Sequence, residues 1–309
     1  MAGRPLKVGI QLPEVERVVP WAELRDMARL AEDIGLDSVW VGDHLLYRYE
    51  DGTSRGPWEA WSTLAAIAAV TTRVEIGPLV AATSFHNPAM LAKKAATIDE
   101  ISGGRLILGL GAGWNETEYS AYGFPFDHRV DRFEEAFTII RSLLRDGYVD
   151  FDGRYYQARD CELLPRGPRG PRQNGPPLMV GSDGPRMLRI TLPHVDAWNA
   201  WYSWFHNDVT RLPAILAGVD ETCLEVGRDP TAVERTATVL VGLAGGTGRP
   251  EIHRAGQVSH PLTGTPEQLA AGLRAYAELG IGHLQLVLDP ITLPSIEALA
   301  PVLEQLDRG

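Results

Sequence analysis

The feature that most constrains this chain is an alternation of short apolar segments with amphipathic ones, almost from end to end. Residues 7–12 predict a strand, 21–34 an amphipathic helix, and 38–42 a second strand. The apolar segments are continuous, which is typical of strands buried on both faces of a parallel sheet. The pattern therefore predicts an α/β fold built from successive strand–helix pairs.

Eight such pairs can be placed along the sequence. The other predicted strands are 74–80, 105–110, 178–180, 197–200, 238–243 and 284–288. The other predicted helices are 59–70, 88–101 and 130–145, with four more starting near Pro185, Val209, Pro266 and Pro294. Eight strand–helix pairs in succession fit a closed (β/α)8 barrel, the TIM barrel, better than an open sheet.

The 309 residues exceed the roughly 250 that such a barrel needs. We expect one domain, 1–309, whose excess forms four insertions, at 45–57, 114–129, 147–177 and 245–261. All but the third follow strands, so we expect them on the C-terminal face of the barrel, where catalysis occurs. The third contains Asp152-Gly153, a dipeptide that favours a β-hairpin turn.

Charge and composition exclude several classes of protein. With 29 basic and 40 acidic residues, the formal net charge is -11, which disfavours binding to nucleic acid or to a membrane surface. The longest uncharged stretch, 76–92, is too short and too broken by proline and glycine to span a membrane. The N-terminal residues lack the apolar run of a signal peptide, so we expect a cytoplasmic protein.

The two cysteines, Cys161 and Cys223, lie far apart and outside any C-x-x-C pair. This argues against a disulfide framework and against a zinc site, and we expect no metal.

The second strand ends in Asp43-His44. A histidine at the C-terminal end of a barrel strand can donate or accept a proton near neutral pH, so both residues are candidate catalytic groups. The alternative is that Asp43 caps a turn and His44 is a solvated loop residue. His86 precedes Asn87-Pro88 and is interpreted as part of a helix start.

Glycine-containing turns follow the fourth and fifth predicted strands. The first, Gly109-x-Gly111-x-Gly113, lets a planar ligand or a phosphate approach the backbone. The second, at 181–184, precedes Pro185, and its free amides with the Ser182 hydroxyl can bind a phosphate. Either turn could instead serve the fold alone, as a tight turn or a helix cap.

Tryptophans lie near several predicted strand ends. They suggest an apolar cavity for a flat substrate, although each could simply pack under a long loop. The candidate substrate-binding residues are Trp58, Trp114, Trp198 and Trp201.

With these residues in place, the sequence resembles the luciferase-like monooxygenase superfamily of flavin- and deazaflavin-dependent (β/α)8 oxidoreductases, and among them the deazaflavin-dependent members. The resemblance covers nearly the whole chain, and its most specific segment is HNPAMLAKKAATIDEISGGRLILGLGAGWNETEYSAYGFPF. Other segments that carry it are VGIQLP, GLDSVWVGDH, RFEEAFTIIRSLL, PPLMVGSDGPRML and DAWNAW.

The resemblance implies roles for individual residues. His44, preceded by Asp43, is expected beside the reactive carbon of the coenzyme ring. A non-prolyl cis peptide behind the ring is expected at Leu79-Val80. The implied coenzyme-binding residues are Leu79, Val80, Gly111, Ala112, Gly113 and Asn115 at the ring, and Gly181, Ser182 and Gly184 at the phosphate.

One departure from the family bears on the substrate. Some deazaflavin sugar-phosphate dehydrogenases carry a glutamate directly after the glycine turn as a proton donor, where this chain has Trp114, with Glu116 two residues on. The difference argues against a sugar phosphate and favours an apolar or aromatic substrate.

We therefore predict an oxidoreductase that transfers a hydride between coenzyme F-420, a deazaflavin (F420), and a small organic substrate, and we expect a homodimer. Two alternatives remain. One is a monooxygenase that uses reduced FMN on the same fold. The other is a non-catalytic flavin-binding member, which the presence of His44 and Asn115 disfavours.

Overall fold

A computed structural model describes residues 4–49, 51–168, 175–248 and 259–308. The chain divides into two compact units, which we call the terminal unit (1–40 and 181–309) and the central unit (41–180). Parts of the predicted insertions at 45–57, 147–177 and 245–261 lie outside the described residues. The single-domain boundary, 1–309, stays a prediction.

The secondary structure consists of strands and helices in alternation. The strands are β1 (Lys7–Gln11), β2 (Ser38–Val41), β3 (Tyr47–Arg48), β4 (Ser54–Arg55), β5 (Glu75–Pro78), β6 (Ala81–Ala82), β7 (Leu108–Gly111), β8 (Tyr148–Asp152), β9 (Gln157–Glu162), β10 (Leu178–Val180), β11 (Ala197–Ala200), β12 (Glu234–Gly242) and β13 (Ile281–Asp289). The α-helices are α1 (Trp21–Asp33), α2 (Ala60–Val70), α3 (Pro88–Ser102), α4 (Glu116–Tyr122), α5 (Arg129–Arg145), α6 (Pro185–Thr191), α7 (Leu212–Glu225), α8 (Pro266–Glu278), α9 (Leu293–Glu297) and α10 (Ala300–Asp307).

In the terminal unit, parallel strands run in the order β2-β1-β13-β12-β11. Strands β2 and β11 are buried along their whole length, as continuous apolar segments predict. Helix α1 buries Leu24, Met27, Ala28 and Ala31, whose spacing of three and four residues places them on one face.

In the central unit, β7 pairs in parallel with β10 and with β6, and Ile76 of β5 bridges to Leu106. Helix α3 starts after Asn87, whose side chain accepts a hydrogen bond from the Met90 amide, and it ends at Gly103 in the left-handed conformation. The hairpin predicted around the Asp152-Gly153 turn is present as antiparallel β8 and β9.

Strands β1, β2, β5, β7 and β10 to β13 correspond to the eight predicted strands. Parallel strands joined by helices confirm the predicted fold class, an α/β fold of the (β/α)8 type. No helix of the described residues is both long and apolar enough to cross a lipid bilayer.

Strands β12 and β13 are longer than the predicted 238–243 and 284–288, because their polar residues have buried partners. The Asn199 side-chain amide donates to Thr236 Oγ1 at 2.9 Å and to Gln285 Oε1 at 2.7 Å. The prediction from apolar residues left Thr236 out of β12, although the strand continues through it.

His283 on β13 belongs to the same buried polar interior. Its Nε2 lies 2.6 Å from Ser38 Oγ, which accepts a hydrogen bond from Trp40 Nε1 at 2.7 Å. Burial, with a smaller effect of Lys7, lowers the pKa of His283 to about 3. The imidazole is therefore neutral, and its Nε2 shares a hydrogen bond with the Ser38 hydroxyl.

The start of the fourth strand also differs from its prediction. Strand β7 begins at Leu108 rather than at Arg105, because the Arg105 guanidinium donates to the backbone carbonyls of Ala68, Thr71 and Val74. The β3–β4 hairpin, α4 and α10 were not predicted.

Candidate active site

His44 follows β2 in the central unit, and a buried carboxylate holds its ring. The Nδ1 atom lies 2.9 Å from Oε2 of Glu118 on α4. Glu118 Oε1 accepts hydrogen bonds from the amides of Leu45 and Leu46 at 2.5 and 3.0 Å. Glu118 is fully buried, whereas the His44 side chain is 19% exposed. The carboxylate therefore fixes both the imidazole and the backbone that follows it.

Glu118 also determines which nitrogen of His44 can exchange a proton. A carboxylate accepts hydrogen bonds but does not donate them, so Nδ1 carries the proton of the neutral ring. In that tautomer Nε2 is the basic atom. His44 can therefore accept a proton at Nε2, and the resulting imidazolium can donate it again.

Aromatic rings flank His44. The centroid of its ring lies 4.9 Å from that of Tyr47 and 5.6 Å from that of Trp114. The rings of Tyr47 and Trp114 lie 6.1 Å apart. Tyr47 is buried and Trp114 is half-buried. The surroundings of the imidazole are therefore apolar on these sides, and they strengthen its hydrogen bond to Glu118.

Asp43 directs its carboxylate away from the partners of His44. Its Oδ2 accepts a hydrogen bond from the Ala82 amide at 3.0 Å and lies 2.9 Å from Nε2 of His86. Asp43 is only 4% exposed. The structure thus places this carboxylate between the end of β2 and the chain that follows β6, and its catalytic role stays a prediction.

The predicted cis peptide at Leu79-Val80 is confirmed. It lies between β5 and β6, and the Leu79 amide donates to the Val41 carbonyl at 2.8 Å. Gly109 of β7 packs directly against this segment, because a Cβ there would lie 2.3 Å from Pro78 O and 2.9 Å from Val80 Cγ1. The structure therefore brings Leu79-Val80 and the start of the glycine turn into contact.

The glycine turn at 111–113 is held by two side chains. Tyr119 Oη donates to Ala112 O at 2.8 Å, and Arg129 Nη1 donates to Gly113 O at 2.6 Å. Burial raises the pKa of Tyr119 to about 12, so the hydroxyl keeps the proton that it donates. Gly113 has a φ of 73°, and a Cβ there would lie 2.0 Å from Tyr119 Oη. Only glycine fits at that position.

Asn115 follows this turn and links it to the loop after β2. Its Nδ2 donates to Leu46 O at 3.0 Å, and the residue is 8% exposed. The side chain therefore ties the loop beside His44 to the start of α4. The coenzyme-binding role that the family resemblance implies for Asn115 stays a prediction.

The turn predicted to bind phosphate lies in the terminal unit. The Gly184 amide donates to Ser182 Oγ at 3.4 Å, just before α6. Trp198 is fully buried, and its Nε1 donates to the Ser182 carbonyl at 2.8 Å. A Cβ on Gly184 would meet Ser182 Oγ at 3.8 Å, which is ordinary contact. Trp198 therefore supports this turn, of which Gly181 is the first residue.

The remaining candidate substrate-binding residues are Trp201 and Trp58. Trp201 packs against Tyr202 with 4.8 Å between ring centroids. Trp58 is 57% exposed, so it is not enclosed by the described residues. The substrate-binding roles of both tryptophans stay predictions. No group of three or more metal-ligating side chains is placed to hold a metal ion within the described ranges.

The sequence interpretation missed Glu118, which was not singled out. It assigned His86 to a helix start, and α3 does begin just after it, but the contact of His86 with Asp43 was not predicted. A local signal for Glu118 exists, since Asn115 followed three residues later by a glutamate is a capping pattern that predicts a helix start. Gly123 in the left-handed conformation ends the same helix. The partner of His86 has no such local signal.

Comparison with known proteins is consistent with this geometry. The sequence profile of the luciferase-like monooxygenase family matches residues 7–246. An F420-dependent glucose-6-phosphate dehydrogenase of Kineococcus radiotolerans is 32% identical over 77% of this chain and 68% of its own. A second such enzyme, of Amycolatopsis mediterranei, is 39% identical over 58% of this chain, and the match spans 53% of that relative. A phthiodiolone/phenolphthiodiolone dimycocerosates ketoreductase of Mycobacterium tuberculosis is 30% identical over 86% of this chain and 72% of its own.

Solved structures show the same fold over almost the whole chain. An F420-dependent secondary alcohol dehydrogenase in complex with an F420-acetone adduct has a TM-score of 0.77 at 22% identity and covers 97% of this chain and 99% of its own. A riboflavin lyase with modified FMN and riboflavin has a TM-score of 0.79 at 16% identity and covers 97% of this chain and 91% of its own. The family profile spans most of the sequence and the predicted family is confirmed: the chain belongs to the luciferase-like monooxygenase family.

Proposed function

We propose that this protein is an oxidoreductase that transfers a hydride between coenzyme F420 and a small organic substrate. The observation that carries the proposal is the pair formed by His44 and the buried Glu118, in which Nδ1 carries the proton of the neutral ring and Nε2 is the basic atom. The names of the Kineococcus and Amycolatopsis relatives, both F420-dependent dehydrogenases, support the choice of coenzyme.

In each unit, taken by itself, there are residues that suit one part of a planar, phosphate-bearing coenzyme. The Leu79-Val80 segment offers an apolar wall in direct contact with β7, and the turn at 111–113 is held rigid by Tyr119 and Arg129. The turn at 181–184, with a serine hydroxyl and an open Gly184, suits a phosphate group. When bound, F420 supplies or removes the hydride.

The proton is the part of the reaction that this chain must manage. Reduction of a carbonyl needs a proton on the new alkoxide, and oxidation of an alcohol releases one. His44 donates or accepts it at Nε2, while Glu118 stabilises the imidazolium through a charge-assisted hydrogen bond at Nδ1. The rings of Tyr47 and Trp114 cover part of the imidazole and reduce its contact with water.

We propose an uncharged, apolar or aromatic substrate that presents a carbonyl or a hydroxyl group. Trp114 takes the position after the glycine turn, and together with Tyr47 it gives the imidazole an aromatic surround. Such a surround binds flat or aliphatic groups through apolar contact. The substrate-binding roles of Trp58, Trp198 and Trp201 stay predictions.

Two tests separate this proposal from its alternatives. Purified protein is titrated with F420 and with FMN, and binding is followed by coenzyme fluorescence. We expect saturable binding of F420, and hydride exchange with a panel of apolar ketones and alcohols under anaerobic conditions. Binding of FMN alone, with oxygen-dependent turnover, would support the monooxygenase instead. Coenzyme binding with no turnover of any substrate would support the non-catalytic alternative, which the His44–Glu118 arrangement disfavours.

We also propose that the protein forms a homodimer through α2 and α3. Helix α2 carries small residues on its accessible side, and α3 exposes two large apolar side chains, Met90 and Ile101, at 54% and 45%. Light scattering coupled to gel filtration tests this proposal, because Met90→Glu should shift the protein to a monomer.

A cytoplasmic location and the absence of nucleic-acid partners stay predictions.

A further inference from the structure

A second histidine–carboxylate pair lies beside the pair formed by His44 and Glu118. The Nε2 atom of His86 is 2.9 Å from Asp43 Oδ2, and the two side chains are only 10% and 3% exposed. The pair joins the residue before His44 to the chain between β6 and α3. The proton transfer proposed for His44 does not use His86.

Two groups compete for the same nitrogen of His86. Trp61 Nε1 lies 3.2 Å from Nε2, so Nε2 either accepts a hydrogen bond from the indole N–H or donates one to Asp43. The contact with Asp43 is shorter, and charge-assisted hydrogen bonds are about twice as strong as neutral ones. Asp43 Oδ2 also accepts from the Ala82 amide, which is the role of an ionised carboxylate. The balance therefore favours a proton on Nε2.

His86 is itself rigidly placed. Its amide donates to Thr83 O at 3.1 Å, and the next residue, Asn87, caps α3. The Trp61 ring packs edge-on against the imidazole, with 5.8 Å between centroids. His86 therefore provides a fixed point to which the end of β2 is tied.

The backbone around His44 is anchored on both sides of the residue. Asp43, one residue before it, is bound to His86 and to the Ala82 amide. The amides of the next two residues are bound to Glu118. A catalytic group misplaced by about 1 Å can lose on the order of 100-fold in rate, so either anchor can influence turnover.

We propose that His86, as its Nε2–H tautomer, is a positioning residue that holds His44 in place through Asp43. This inference rests on the proposed function, because it concerns the residue to which proton transfer is assigned. Asp43 then acts as a link between the two histidines and does not itself exchange a proton with the substrate.

The test compares three variants of the full-length protein. His86→Ala removes the donor, His86→Gln keeps an N–H group at the position of Nε2, and Trp61→Phe removes only the competing indole N–H. We expect His86→Ala to lower kcat roughly 10- to 100-fold, with KM and F420 affinity changed less than threefold. His86→Gln should recover most of kcat, and Trp61→Phe should stay within about threefold of the wild type.

A second measurement does not depend on turnover. Nitrogen-15 spectra of the histidine rings in the coenzyme-free protein report which nitrogen carries each proton. We expect His86 to carry its proton on Nε2, in the wild type and in Trp61→Phe. The ring signals of His44 should shift in His86→Ala and return towards the wild type in His86→Gln.

The proposal is overturned if His86 carries its proton on Nδ1, or if folded His86→Gln is as slow as His86→Ala. It is also overturned if the His44 signals are the same in the wild type and in His86→Ala. Wild-type protein that neither binds F420 nor turns over a substrate would refute the proposed function instead. In that case the ring spectra still decide the position of His44.

Discussion

Replacing Glu118 with glutamine is the most direct test of how His44 works. The substitution conserves shape, so the side-chain oxygen can still accept from the amides of Leu45 and Leu46. The atom that faces His44 Nδ1 becomes an NH2 group, which donates. The imidazole must then accept at Nδ1 and carry its proton on Nε2, which is the reverse of the tautomer that the wild type stabilises.

The expected loss follows from the single bond that changes. A hydrogen bond to a charged group contributes about 1.5 to 3 kcal/mol, and the bond between Glu118 and the His44 imidazolium is fully buried on the carboxylate side. Losing that stabilisation in the transition state corresponds to roughly a 10- to 150-fold lower kcat. The reversed tautomer adds to this loss, because Nε2 is no longer basic in the neutral ring. We expect KM to change much less.

The assay measures kcat and KM with saturating F420, together with thermal unfolding of each variant. Glu116→Gln is the matched control, since it makes the same change of charge at an exposed position two residues earlier on α4. Glu118→Ala is a poor variant, because it would leave three N–H donors without their acceptor and would destabilise the loop. Wild-type turnover in a folded Glu118→Gln protein, with the Nδ1 proton retained, would refute the role assigned to Glu118.

Three further predictions concern other parts of the molecule. The pKa of His283 is about 3 in the folded protein against 6.5 for the ordinary side chain, so the unfolded chain binds more protons between these values and stability falls as pH drops below 6.5. Urea unfolding should show a loss of about 1.4 kcal/mol from this residue at pH 5.5, and an equal pH dependence in His283→Gln would contradict it. Gly184→Val should leave the protein folded, since φ is -71° and the Cβ has space, with a small loss of stability because valine is a poorer N-cap than glycine. F420 affinity measured by fluorescence should fall about tenfold. Undiminished affinity would place the phosphate elsewhere. Gly109→Ala should lower the free energy of unfolding by about 1 to 3 kcal/mol, because its Cβ would lie 2.3 Å from Pro78 O. Chemical denaturation measures this change. An unchanged free energy of unfolding would show that β5 and β7 can separate to make room.

The sequence predicts those elements whose pattern is local. Strand β1 and helix α1 end at Gln11 and Asp33, each within one residue of its predicted end. The prediction is this close because apolar periodicity is a property of neighbouring residues. Strands β12 and β13 were predicted too short, because Thr236 and His283, which the predictions left out, are polar residues of a buried interior. Their partners come from other strands, and one sequence does not reveal such pairing.

In the candidate site too, only the features that are local in sequence could be predicted. His44 was singled out as a candidate because it follows the second strand and because the family resemblance implies a position at the coenzyme ring. Glu118 lies 74 residues further along the chain, and His86 lies 43 residues from Asp43. Which carboxylate meets which histidine depends on how α4 and the chain after β6 pack around the end of β2. That packing determines the tautomer of each ring, and the tautomer decides what each histidine can do.

The position of Glu118 on α4 also bears on the proposed substrate. Glu118 is buried and accepts hydrogen bonds from the amides of Leu45 and Leu46 and from Nδ1 of His44, so it orients the imidazole. Trp114, four residues earlier, is half-buried and packs beside the same ring. The carboxylate that binds His44 Nδ1 therefore comes from α4. For this reason the residue after the glycine turn, Trp114, can be aromatic without loss of the hydrogen bond to His44. An aromatic ring there offers no hydrogen bond to a sugar hydroxyl and no charge to a phosphate, but it does offer apolar contact area. In the proposed mechanism His44 exchanges the proton while Glu118 and His86 hold it in place, and we expect the residue at 114 to influence which substrates are accepted.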